Sequence, residues 1–137
     1  HAAAVNRAID IAKSRGFRKA MLLPVSAPFH SSLMIPAGER LGKVLQQVNL
    51  LDMKIPVVTN VEATRNMDST RVRELLVAQV SAPVKWDSSI REMVRLGVTS
   101  FLEIGPGKVL SGLVKRIDKE VVTANIEDSA GLKALQG

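Results

Sequence analysis

The sequence predicts an α/β fold, with a largely parallel sheet covered by helices on both faces. Two observations predict it. From Met34 onward, helix-period and strand-like apolar runs follow one another as helix, strand, helix, helix, strand, helix, strand, helix. Alternation of that kind belongs to parallel strands joined by helical crossovers. Hydrophobic residues also make up 46% of the 137 residues, enough to build one core and too many for a disordered chain.

Ala2 to Arg15 reads as an amphipathic helix, with Val5, Ala8, Ile9 and Ala12 on one face and Arg7, Asp10 and Lys13 on the other. Gly16 is its stop. Lys19 to Ser26 reads as a strand with Ala20-Met21-Leu22-Leu23 buried, and Pro24 and Pro28 end it. Ser31 or Ser32 is the expected cap of the next helix, which takes Pro36 in its first turn and buries Leu41, Val44, Leu45 and Val48. Ile55 to Val61 reads as a strand, and 60–68 as a polar loop. Asp68-Ser69-Thr70 caps a helix from about Arg71 to Val80, which Ser81-Ala82-Pro83 terminates. Asp87-Ser88-Ser89 opens a helix that stops at Gly97. Then come a strand from Thr99 to Ile104, a turn at Gly105-Pro106-Gly107, a helix from Lys108 to Ile117, a strand from Glu120 to Ile126, and a short helix from Asp128.

Composition removes several functions. With no Cys, a disulfide scaffold, a thiolate zinc site and a thiol nucleophile are excluded. No spacing of ligand residues suggests a metal. Aromatics are 3%, too few for the stacking platforms of single-stranded nucleic-acid binding. The apolar runs are too short to span a bilayer and no signal peptide is visible, so the cytoplasm is the expected compartment. The net charge of +6 suits an anionic partner, although spread-out cations commonly just solvate a surface.

Three stretches could carry chemistry. His30, the only histidine besides His1, follows the first strand in a proline-stiffened bend. That place can hold an imidazole in one orientation as a general base, or it can hold a loop histidine satisfied by backbone. A base needs a nucleophile. No Gly-x-Ser-x-Gly elbow occurs, and Ser31 and Ser32 are too local to serve. Gly105-Pro106-Gly107-Lys108 could cradle a phosphate at a helix start, but it lacks the Walker and dinucleotide spacings and fits a tight strand-to-helix turn better. Glu103 before it could pair with a base or cap the turn. Gln79 to Trp86 is a helix end with a Pro break, with Trp86 as a core anchor; backbone freed there could accept a hydrogen bond from His30.

These stretches together resemble the malonyl-CoA:acyl-carrier-protein transacylases of bacterial fatty-acid synthesis. The resemblance rests on Leu23-Pro24-Val25-Ser26-Ala27-Pro28-Phe29-His30-Ser31-Ser32-Leu33-Met34, on Pro56 to Val61, on Gln79 to Trp86 and on Glu103 to Leu113. Their order and spacing fit the C-terminal half of that family. It implies an α/β-hydrolase-like large domain with an inserted ferredoxin-like subdomain, residues 1–26 closing the insertion and 27–137 returning to the large domain. It implies ping-pong transfer of malonyl from coenzyme A, through a serine, to the phosphopantetheine thiol of acyl carrier protein, with no cofactor beyond the thioester substrate. His30 matches the catalytic histidine, and Gln79 the position whose backbone carbonyl orients it. The nucleophile motif, the oxyanion segment and the malonate-binding arginine of the family have no counterpart here, so the expected partners include the missing N-terminal half. Phe29 supports malonyl, and Lys115 and Arg116 are candidates for anionic contacts. The alternative is a non-catalytic α/β scaffold or carrier-protein-binding module.

Overall fold

The computed structural model describes residues 1–134. In chain order these form α1 (Ala2–Ser14), a 3-10 turn (Ser32–Met34), α2 (Ile35–Leu45), β1 (Val57–Val58), β2 (Arg65–Asn66), a second 3-10 turn (Ser69–Arg71), α3 (Val72–Ser81), α4 (Trp86–Arg95), β3 (Ser100–Ile104), α5 (Val109–Ile117), β4 (Val122–Ile126) and α6 (Ser129–Ala134). The mixed α/β class is as expected.

The large continuous sheet is not found. Among the described residues, β3 and β4 pair in parallel and β1 and β2 pair antiparallel, as two separate sheets. The expected strand over 19–26 is absent for a local reason. Val25 N–H donates to Leu23 at 2.8 Å and Phe29 N–H to Ala27 at 2.9 Å. Each bond closes a three-residue turn centred on a proline, whose fixed φ suits that turn. The backbone folds on itself instead of offering a ladder, and Leu23 is left 71% exposed. The strand expected over 55–61 shrinks to two residues, and its partner β2 lies in the stretch read as a loop.

Helix ends follow the sequence more closely. At Gly16, with φ +88°, Phe17 N–H donates to Ala12 and Gly16 N–H to Lys13. At Gly97, with φ +91°, Val98 N–H donates to Met93 and Gly97 N–H to Val94. Both are the double-bonded stop that needs a left-handed residue after the last helical turn. Asp68 caps as expected, taking Thr70 N–H at 2.8 Å. Ser31 and Ser32 make no capping bond; the Ser31 hydroxyl turns back to Pro28 O at 2.7 Å. The helix expected from Asp87 begins one residue earlier, at Trp86, and Asp87 instead pairs with Arg91 at 2.8 Å.

The face by which α2 meets α3 differs in part from expectation. Val44 and Val48 are exposed, and Gly38 and Gly42 lie against α3 instead. A β-carbon on Gly38 would stand 3.4 Å from Val77 O and one on Gly42 3.5 Å from Val77 Cγ2, ordinary contact distances, so α3 packs directly on the glycine side of α2. α2 stops at Leu45, and the Arg73 guanidinium takes the carbonyls of Leu45 at 2.8 Å and Val48 at 2.7 Å. That satisfies a helix end with a cation carried by the neighbouring helix.

The main core joins α4, α5, β3 and β4. Ile90, Val114 and Val121 are buried, with Trp86, Met93, Val94, Phe101 and Ile117 packed around them. Phe101 and Glu103 lie on the helix side of β3. The other side carries Leu102 and Ile104 beside their register partners Ala124 and Ile126, with Val122 opposite Ser100. Ile104 is 77% exposed and Val122 61%. A parallel sheet is ordinarily covered on both faces; here one apolar face is open.

Truncating the fully buried Ile90 to Ala should lower unfolding free energy by about 2–5 kcal/mol, measured by denaturant titration. The open sheet face should make the chain on its own bind a hydrophobic dye, and Ile104→Lys should reduce that fluorescence without lowering the denaturant midpoint.

Candidate active site

His30 is delivered by the second proline-centred turn and adopts φ +56°. Such backbone is uncommon outside glycine, though His is among the residues that tolerate it best. Its imidazole reaches across to the C-terminal end of α3. Nδ1 donates to Gln79 O at 3.2 Å and to Ala82 O at 3.0 Å. Both partners are carbonyls and can only accept, so Nδ1 carries the proton and, in the neutral ring, Nε2 keeps its lone pair. The expected meeting of His30 with the Gln79 carbonyl is therefore present in the geometry. Ala82 was not singled out by sequence reasoning, although the dipeptide Ala82-Pro83 held the signal: a residue before proline is pushed out of helical conformation and its carbonyl points elsewhere.

What surrounds the imidazole limits what it does alone. The adjacent Ser31 hydroxyl is committed to Pro28 O. Gln79 also borders a pocket of about 330 Å³ with Val57, Val58, Leu75 and Leu76, and no charged residue lines it. Its polar lining is Thr59, Asn60, Asn66 and Gln79, so it has neutral donors but no full positive charge for a carboxylate or a phosphate. An imidazole is thus held by two carbonyls at Nδ1, and its neighbour Ser31 is turned away to Pro28.

The glycine-rich turn is a closed structure. Gly105 and Gly107 take φ +141° and +84°, as a tight strand-to-helix turn requires. Glu103 then occupies the start of α5, accepting Leu110 N–H at 3.0 Å and Ser111 N–H at 2.7 Å. Glu127 accepts Gly107 N–H at 3.1 Å. Three amides of the turn and the first helical turn, those of Gly107, Leu110 and Ser111, already bind carboxylates of the same chain. Ser111 is the largest cause holding the Glu103 carboxyl below its ordinary value, followed by the Leu110 amide. The Ser111 hydroxyl itself lacks a hydrogen bond of good geometry, so the two amides carry the attachment. Lys115, a candidate for anion contact, is also spoken for: its ammonium donates to the carbonyls of Lys119 and Val121 at the α5–β4 corner.

No family model matches the chain. It is 43% identical over 124 residues to the malonyl CoA-acyl carrier protein transacylase of Bacillus subtilis, covering 90% of this chain and 39% of that protein. It superposes on the crystal structure of the malonyl-CoA:acyl carrier protein transacylase of Xanthomonas oryzae with a TM-score of 0.88 at 40% identity, covering 98% of this chain and 43% of the other. The chain is homologous to part of these transacylases. A third match, with a TM-score of 0.86 at 39% identity, covers 96% of this chain and 42% of a malonyl-transacylase solved with a holo type II PKS acyl-carrier protein. The chain spans about two-fifths of the length of the curated transacylases it matches. Among the described residues, no helix is long and apolar enough to cross a membrane and no cluster of ligand side chains could hold a metal.

A carboxyl held below its unfolded value of about 4.3 stabilises the fold above that pH and stops doing so as pH falls through the folded value. Glu103→Gln should therefore lower the thermal midpoint at neutral pH, and the gap from the parent chain should close as the solution is acidified towards pH 3.

Proposed function

We propose that this chain supplies the general base of a malonyl-CoA:acyl-carrier-protein transacylase. The observation that carries the reading is the pair of carbonyls facing Nδ1, Gln79 O in α3 and Ala82 O just after it, which favours the tautomer that leaves a lone pair at Nε2. Nε2 takes the proton of a serine hydroxyl carried by the part of the transacylase that this chain does not span. The serine oxygen attacks the malonyl thioester carbonyl. As the tetrahedral intermediate collapses, the carbon–sulfur bond breaks and the imidazolium protonates the departing coenzyme A thiolate. The second half runs in reverse order: Nε2 deprotonates the phosphopantetheine thiol of acyl carrier protein, which attacks the seryl ester, and the serine recovers its proton. Gln79 orients the ring through its backbone and does not touch the reacting atoms. The reaction needs no cofactor beyond the thioester, and the cytoplasm is its proposed place.

The same reading assigns residues 27–137 to a large domain of α/β-hydrolase type and residues 1–26 to the closing part of an inserted ferredoxin-like subdomain. The exposed helix α1, none of whose residues is buried, supports a subdomain completed elsewhere. The open apolar face of β3 and β4 supports a large domain in which elements beyond this chain cover that face.

Incubated with malonyl-CoA, the chain alone should gain no adduct by intact mass. Supplied together with the serine-bearing remainder of a transacylase, it should support malonyl loading of the serine, and His30→Ala should slow transfer about 10²–10⁴-fold. Unchanged transfer in His30→Ala, or a malonyl adduct on this chain itself, would overturn the reading. Carrier-protein binding without transfer would favour the scaffold alternative.

A further inference from the structure

We infer that Pro83 is a positioning residue for the His30 imidazole, because it creates both of the carbonyls that hold it. The inference rests on the reading of His30 as a base only for its consequence in catalysis; the geometry stands without it.

Gln79 and Pro83 are four residues apart. In a continuing α-helix the Gln79 carbonyl would accept the N–H of residue 83. Proline has no N–H, so that carbonyl has no helical partner and is left to His30, 3.2 Å away. Ala82 is affected in a second way. Its own N–H still donates to Ala78 O at 3.0 Å, so its amide belongs to the helix. Its φ and ψ are −79° and 153°, the extended region that proline imposes on the residue before it. A helical residue has ψ near −42°, so the peptide plane after Ala82 is turned by roughly 195° from a helical one. That rotation brings its oxygen to 3.0 Å from Nδ1. One ring thus removes a competing donor and redirects a second acceptor.

The test is the protonation pattern of the His30 ring, read from its ring-nitrogen chemical shifts in the full 137-residue chain labelled with nitrogen-15, at a pH where the imidazole is neutral. The parent chain should hold the proton on Nδ1. Pro83→Ala restores an N–H that can take the Gln79 carbonyl and frees Ala82 to become helical, so the proton should move largely to Nε2 while the methyl signals of Ile90 and Val114 keep their positions. The double variant Ala82→Val/Pro83→Ala keeps residue 82 extended through its β-branch and should lie between the two. It supplies the readout should the single variant fail to fold. With the serine-bearing remainder supplied, Pro83→Ala should lower kcat about 10–10²-fold with KM unchanged.

A folded variant that keeps the proton on Nδ1 overturns the role of Pro83, as does a parent chain with the proton on Nε2. A tautomer that shifts as expected while kcat is untouched leaves the positioning in place and overturns the reading of His30 as the base.

Discussion

The arrangement depends on one helix end. The last carbonyls of α3 have no amide to receive within the helix; that of Gln79, with the carbonyl of the extended Ala82 just after the helix, closes on His30 Nδ1. The same end carries the negative pole of the helix, which at an exposed position favours a nearby cation by about 0.3–1 kcal/mol. In the proposed reaction, where His30 becomes an imidazolium and then gives its proton away, the ring is therefore supported by dipoles and not by a full charge. A carboxylate would hold the cation more tightly, and a tightly held cation is a poorer acid. The helix end steadies the orientation and leaves the proton easy to release.

That contact is made across the chain, between residues 49 and 52 positions apart, so everything that fixes α3 relative to the bend at His30 matters. The Gly38 and Gly42 face of α2 packs on α3, and Arg73 ties the end of α2 to α3 through two carbonyls. The 3-10 turn that follows His30 runs directly into α2. The left-handed backbone at His30 costs about 1–2 kcal/mol, and the Nδ1–H shared between two carbonyls, with a net of about 0.5–1.5 kcal/mol for a hydrogen bond, offsets part of it. A strained residue steadied by long-range partners is the expected form of an orienting device, since the strain persists only while the partners are in place.

How much of this was legible in the sequence divides by the range of the interaction. Gly16, Gly97 and Asp68 act on their own helix ends, and each did what its residue type dictates. His30 and the helix end at Gln79 were readable because proline, histidine and a terminated apolar period are local signals. The apolar run from Ala20 to Val25 misled because strand formation needs a neighbour to pair with, and the two proline-centred turns gave the backbone another way to satisfy its amides. The short β2 was hidden in polar residues, since two residues cannot show a period. The buried face of α2 is legible in part: Leu41 and Leu45 are half-buried as their spacing predicts, while Val44 and Val48 are exposed and Gly38 and Gly42 lie against α3, a contact that glycines do not announce in an apolar period.

The carboxylate of Glu103 seated on the first turn of α5 has a wider consequence. A glycine turn opening a helix is among the easiest anion traps a protein can build, and a cell is crowded with inorganic phosphate and nucleotides. This chain fills the trap from within. A free phosphate would have to displace a carboxylate tethered to the same chain before it could settle there, so the bait is removed before any competitor arrives.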